Sequence, residues 1–238
     1  MHHVVLERWS RGRTFLHRRD ARAKMAAALM LLVAIATVRQ PIWLFAAGCF
    51  ALLLGAAAAG RLPITGLLWR ACVVLPFAAV FAAVTWAAGD AARAETLVVK
   101  SYLSALAAIT LAALTPLPAL LTGLEKLGAP RFLLLVTHFV YRYLFVLAEE
   151  AQHMRVAAVS RGASDFKAAR RAAAGAIAVL FVRSYERSDA IHQAMLARGF
   201  HGRFGSLSAL HFGAADLAFV SVFAATVVAL WVATGGPR

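Results

Sequence analysis

The chain has 238 residues, 62% of them hydrophobic and only 15% charged, with a mean hydropathy of +0.73; ordinary soluble domains are roughly 45–50% apolar. The apolar residues gather into runs near or above the roughly 18–20 residues that cross a bilayer, so the composition argues for a polytopic membrane protein and against a soluble domain. The net charge of +14 would suggest nucleic acid in a soluble protein. Here 19 of the 25 cations lie in residues 1–24 and 115–213, beside apolar runs, so the charge reads as membrane orientation first and as a partner surface second, with no nucleic-acid partner expected.

The N-terminus is basic (Arg8, Arg11, Arg13, Arg18, Arg19), and its apolar run leads into further runs without a convincing small-residue cleavage site, which reads as a retained signal-anchor helix. Met25 to Val38 is expected to be the first span, with Lys24 snorkelling toward the headgroups. Arg39-Gln40-Pro41 breaks it before a second span from Ile42 to Gly60. Arg61-Leu62-Pro63 punctuates next, and Ile64 to Gly89 forms a third span with a kink expected near Pro76, whose ring removes a backbone donor. Arg70, the one charge in that span, is expected to snorkel or to face another protein helix. Asp90 to Glu95 reads as a short polar loop, and Leu97 to Leu114 as a fourth span carrying Lys100. Alternation puts the loops at 39–41 and 90–95 outside, and the N-terminus and the Arg61 loop inside.

After Pro116 and Pro118 the character changes. Leu117 to Leu127 is a short amphipathic helix, Arg131 to Arg161 is apolar to Leu147 and then charged, and a third helix runs from about Asp165 to Arg198. On that third helix Ile177, Phe181, Ser184, Ser188, Ile191 and Met195 recur at spacings of four and three, which defines one stripe. These helices are too charged to span comfortably and are expected to form a cytoplasmic or interfacial module. Ala214 to Ala233, with Asp216 near its inner end, returns to the membrane and leaves the Gly-Gly-Pro-Arg tail outside. The expected organisation is all-α: a cytoplasmic N-terminal segment at 1–24, four transmembrane helices in 25–114, about three cytoplasmic helices in 115–213, and a fifth transmembrane helix at 214–233.

The two cysteines, Cys49 and Cys72, both lie in apolar runs and supply neither a disulfide framework nor a thiolate metal site. Gly55 to Gly60 has the glycine spacing of a phosphate loop, but Arg61-Leu62 replaces the Lys-Ser/Thr that such a loop needs, so it reads as a small-residue packing stretch. His2, His3, His17, His138, His153, His192, His201 and His211 show no i, i+4 pairing with a carboxylate inside a span, and no metal site is expected from them. Esterase and zincin motifs are missing from the sequence. Glu149-Glu150, the one adjacent acid pair at a helix's charged end, is expected to pair with Arg142, Arg155 or a partner's cations, while a membrane-embedded enzyme using these two acids is the rival from another class.

The long helices end alike, in Ala158-Val159-Ser160-Arg161-Gly162 and Ala194-Met195-Leu196-Ala197-Arg198-Gly199. Singly, each is explained by a cation near the helix C-terminus and a glycine that closes it. Two copies 37 residues apart fit one helix out and one back, and each arginine offers a planar donor fork for carboxylates or carbonyls, so the pair suits two equivalent grooves on a dimeric partner.

These residues resemble the paired Ala-Arg-Gly signatures of the transmembrane coupling (T) component of energy-coupling factor transporters, with Ser160 where the first signature has Ala. Asp20-Ala21-Arg22-Ala23-Lys24, Pro130 and Glu149-Glu150 also look like that family, and Arg183-Ser184-Tyr185-Glu186-Arg187 followed by Gln193 to Gly199 is most similar to its cobalt and nickel branch. The resemblance implies a non-catalytic, multi-pass subunit of a bacterial cytoplasmic (inner) membrane importer, with its N-terminus inside. Ala158, Ser160, Arg161, Gly162, Ala194, Ala197, Arg198 and Gly199 would engage two ABC-type ATPase subunits, which carry ATP and Mg, while this chain holds no cofactor. The other implied partners are a membrane substrate-binding subunit and a small accessory membrane subunit. A T component serving a vitamin such as biotin is the alternative within the family.

Overall fold

The computed structural model describes residues 9–10, 12, 14–38, 42–163, 165–200 and 213–234. Every regular element among them is helical: α1 Ala21–Thr37, α2 Trp43–Ala59, α3 Ile64–Ala87, α4 Ala91–Leu114, α5 Leu117–Lys126, α6 Arg131–Ser160, α7 Phe166–Ala197 and α8 Ala214–Ala233. Four of these, α3, α4, α6 and α8, are long and apolar enough to cross a membrane. The helices α1 and α2 have 17 residues each, about 26 Å at 1.5 Å per residue, a little under the roughly 30 Å hydrocarbon core. The chain is an all-α, multi-pass membrane protein. The turn at Arg39-Gln40-Pro41 and the Gly235 to Arg238 tail lie outside the described residues.

Two compact units divide the chain: residues 1–128 with 209–238, and residues 129–208. In the first, α1 to α4 and α8 form a bundle around Leu31, Phe45, Leu67 and Leu106, with Cys49 and Val227 in the same core. The opposite faces are also apolar; Trp69, Val73, Phe77, Val84 and Trp86 on α3 are all exposed, as expected where the solvent is lipid. Small residues set the close approaches, since a Cβ on Gly48 of α2 would stand 2.4 Å from Leu230 of α8. The short α5 packs on α1 in this unit, where Gly123 faces Met25.

Local chemistry explains where the elements start and stop. The Asp20 carboxylate caps α1 at the Arg22 N–H (2.9 Å), and the Asp90 carboxylate caps α4 at the Arg93 N–H (3.1 Å). As a result α4 begins six residues before the expected Leu97, and the expected polar loop is its first turn, braced by the Arg93–Asp90 ion pair at 3.0 Å. In α3 the proline effect falls as expected: a 3-10 turn at Cys72–Val74 interrupts the helix just before Pro76, which has no N–H to give back.

Two lysines correct a simpler picture. Lys24 does not snorkel; it is buried and donates to the Leu114 carbonyl at the end of α4 (3.0 Å) and to the His17 carbonyl (3.3 Å). Lys100, near the start of α4, donates to the Ala36 carbonyl at the end of α1 (2.9 Å). The helices α1 and α4 are therefore antiparallel, and each lends a cation to the other's C-terminal carbonyls, which have no partner within their own helix. Arg70 faces protein, with its guanidinium 4.3 Å from the Trp9 ring.

The second unit is the antiparallel pair α6 and α7. No residue of either helix is buried. The two meet along half-buried stripes: Tyr143, Leu147, Ala151, Met154 and Ala158 on α6, and Ala168, Ala172, Ala176, Leu180 and Ser184 on α7. The expected stripe on α7 is thus one residue out of phase in its first half, where Ile177 and Phe181 are 68% and 71% exposed. Alanine lets the helix axes approach, so the contact runs along the small face and leaves the bulky apolar residues outward. Ser188 is also exposed, while Ile191 and Met195 are half-buried as expected.

Candidate functional site

The ends of α6 and α7 share one local geometry. At the first, Arg161 is the C-cap residue (φ −91°, ψ 10°), Gly162 takes φ +91°, and the N–H groups of Gly162 and Ala163 donate to the carbonyls of Val159 (3.0 Å) and Ala158 (3.1 Å). At the second, Arg198 is the C-cap residue (φ −91°, ψ 11°), Gly199 takes φ +73°, and the N–H groups of Gly199 and Phe200 donate to Leu196 (2.9 Å) and Met195 (3.0 Å). Both are Schellman closures. The arginine is the last residue before the chain turns, and glycine supplies the left-handed residue that the closure needs.

A Cβ on Gly162 or Gly199 would meet nothing within 4 Å. Replacing either with Ala is therefore expected to cost only the left-handed penalty, about 1 kcal/mol, without a steric clash. Hydrogen exchange at the last-turn amides should rise several-fold while the thermal midpoint of the whole protein hardly moves. A large global loss would show that these turns bear on more than their own helix ends.

Ser160, Arg161, Gly162, Ala194, Ala197, Arg198 and Gly199 are exposed, and Ala158 is half-buried on the face of α6 that meets α7. Neither arginine side chain makes a hydrogen bond or ion pair among the described residues. Because α6 and α7 are antiparallel, the two tips stand at opposite ends of the pair, roughly 50 Å apart along a helix of this length. Chemically, the arrangement offers two exposed guanidinium forks on closed helix ends, without partners among the described residues. Of the two acids at the charged end of α6, Glu150 takes a different partner from the expected Arg142 or Arg155: it pairs with Arg183 of α7, tying the two helices together. Arg142 lies over the Tyr143 ring at 5.8 Å.

A second cluster was not legible as a unit in the sequence. Where α1, α4 and α8 meet, Asp216 accepts from the Asp20 backbone N–H (3.3 Å) and lies 3.6 Å from the Arg19 guanidinium, beside buried Lys24. Each of these charges sits at the end of an apolar run, which is the signal that burial in lipid would demand a partner. That the partner of Asp20 is 196 residues away is a property of the packing alone. Among the described residues no three His, Cys, Asp or Glu side chains come together, and Cys49 and Cys72 are free thiols. His2, His3, His201 and His211 lie outside the described residues.

A family model described as the cobalt transport protein CbiQ matches residues 12–207. The cobalt transport protein CbiQ of Rhodobacter capsulatus is 32% identical over 118 residues, 49% of this chain and 48% of that relative. Two uncharacterized proteins of Methanocaldococcus jannaschii are 28% identical over 113 residues and 32% identical over 101, which cover 47% and 42% of this chain and 38% of each relative. The chain spans less than half the length of these curated relatives. The family match takes in both arginine tips, the Asp20 cap and Lys24, and it covers most of the sequence: the chain belongs to the CbiQ family of cobalt transport proteins.

Proposed function

We propose that this chain is the coupling subunit of an ATP-driven importer for cobalt or nickel ions, and that it passes the motion of two ABC-type ATPases to a separate membrane subunit that binds the ion. One observation carries the reading: two closures of the same geometry present exposed arginines, without side-chain partners among the described residues, at opposite ends of one helix pair. A single such arginine would be a helix cap. Two equivalent forks on a rigid lever suit two equivalent grooves, and a lever about 50 Å long transmits displacement from one end to the other. ATP and Mg then belong to the ATPases. The ion belongs to the other membrane subunit, with a small accessory membrane subunit completing the assembly.

In this reading the chain lies in the bacterial cytoplasmic membrane with its N-terminus inside. Arg19, Arg22, Lys24 and Arg61 all lie at the end of the helix bundle marked by Leu114 and Asp216, and such an excess of cations belongs on the cytoplasmic side. The helix α6 is apolar enough to cross by itself, but its antiparallel partner α7 carries Lys167, Arg170, Arg171, Arg183, Glu186, Arg187 and Asp189. A pair so charged on one member is too costly for the hydrocarbon, so both helices work at or below the cytoplasmic surface. A reporter fused after Arg238 should therefore behave as external, and a cytoplasmic reporter there would overturn the five-span arrangement.

The direct test is isolation of the tagged chain from native membranes. Two ATPase copies and a metal-binding membrane subunit should co-purify, and cells carrying the set should take up labelled cobalt or nickel. Recovery of the chain without any ATPase would sink the coupling reading, and uptake of a vitamin instead of either metal would reassign the cargo.

A further inference from the structure

A cavity of about 640 Å³ opens where the N-terminal segment folds back over the turn between α2 and α3, lined by Trp9, Gly12, Thr14, Phe15, Gly60 and Arg61 among others. The segment is held by short-range bonds. His17 Nε2 donates to the Trp9 carbonyl (3.0 Å), and its Nδ1 bonds the Thr14 hydroxyl (2.7 Å). Gly12 lies so close to the His17 ring that a Cβ would come within 2.7 Å of it. Trp9 rests on Gly66 of α3, under the Arg70 guanidinium, and Phe15 carries the Arg19 guanidinium at 3.9 Å. Both aromatic walls are thus backed by arginines, and no acid is among the described residues that line the cavity.

Arg61 stands out for its backbone. Its φ is +52°, and no other non-glycine residue among the described ones has a positive φ. The closure is the one seen at the two helix tips: the Arg61 and Leu62 N–H groups donate to the Ala58 and Ala57 carbonyls, both at 2.9 Å. The difference is that arginine occupies the left-handed position where glycine would be unstrained. Glycine is used one residue earlier because a Cβ on Gly60 would meet Leu114 at 2.7 Å and the Ala56 carbonyl at 3.2 Å. That explains Gly60 and leaves the arginine unexplained by packing, since Arg61 is exposed and its guanidinium has no hydrogen bond or ion pair among the described residues. A cation held in a strained conformation, without a side-chain partner among the described residues and beside a cavity whose described lining holds no acid, points to a ligand.

The geometry points to a binding site for the phosphate of an anionic phospholipid, with the Arg61 fork on the phosphate oxygens and the glycerol and upper acyl chain against Phe15, Ala59 and Leu62. The cavity lies at the helix ends, where the bilayer meets water, and a basic recess between helices on the proposed cytoplasmic side is suited to such headgroups. Trp9, apolar in body and polar at one edge, fits the same boundary. Free phosphate would share the arginine chemistry, but the apolar half of the lining favours the lipid.

The test is native mass spectrometry of the purified full chain in detergent, titrated with phosphatidylglycerol, phosphatidylcholine or inorganic phosphate. Phosphatidylglycerol should fill one saturable site that phosphatidylcholine does not fill and millimolar phosphate does not empty. Arg61→Gly should weaken that site by about tenfold or more, the scale of one lost charge-assisted contact, while lipid-free thermal stability holds or rises because glycine relieves the strained turn. Arg61→Gln, which keeps the strain and removes the charge, should weaken it equally. Phosphatidylglycerol binding that is unchanged in both variants, or equal to phosphatidylcholine binding, would overturn the site, and displacement by phosphate would overturn the lipid as its ligand.

Discussion

Changing Arg161 and Arg198 together to Glu is expected to reduce ATPase co-purification by at least about 100-fold while the protein still inserts and folds. Both side chains are exposed and form no intramolecular pair among the described residues, so reversing them breaks no hydrogen bond or ion pair there and acts within the chain only on the helix dipoles. At a desolvated contact, removal of a paired charge costs roughly 2–5 kcal/mol, and reversal adds repulsion to that loss. The competing explanation is that the arginines only complement the helix dipoles, an effect of about 0.3–1 kcal/mol per end. Replacing both arginines with Lys separates the two. Lysine keeps the charge at the helix end and loses the planar fork, so a dipole role predicts no change and a docking role predicts weaker association. Normal ATPase binding in the double Glu variant would leave the cap as the whole explanation.

The parts of this chain that could be read from sequence are those governed by neighbours along the chain. Pro130, Asp165 and the Arg-Gly endings bracket α6 and α7 within a residue of where the structure has them, because caps and closures are local chemistry. Asp90 starts α4 by the same local chemistry, its carboxylate capping the Arg93 N–H, so loop polarity at 90–95 and a helix start look alike by composition. Packing was less legible. Ile177 and Phe181 look like a buried stripe by spacing, yet Ala172 and Ala176 face α6, because in a pair that buries little the closest approach decides the contact line and bulk does not. The tips are visible as a repeated motif, whereas the convergence of Arg19, Asp20, Lys24 and Asp216 depends on the return of α8 to α1 and leaves no local trace.

That buried cluster yields the second large effect. Lys24→Met is expected to destabilise the first unit by about 3 kcal/mol or more, the usual scale for removing one partner from a buried charged group. Lys24 is only 6% exposed, so solvent cannot replace it. Its ammonium donates to the carbonyls of Leu114 and His17 and lies within the fields of Asp20 and Asp216. Methionine fills the same volume but leaves the end of α4 unpaired and the carboxylates short of a counter-charge, of which Arg19 supplies only part at 3.6 Å from Asp216. The thermal midpoint in detergent should fall by many degrees, whereas protection of α6 and α7 in hydrogen exchange, which depends on their own pairing, should not change. Adding Asp216→Asn to the Lys24→Met chain should recover part of the loss, because it removes an anion that has lost its counter-charge, although the same change alone destabilises. If Lys24→Met is as stable as the parent chain, the lysine reaches solvent or headgroups after all, and its bond to the Leu114 carbonyl contributes nothing to holding α1 against α4.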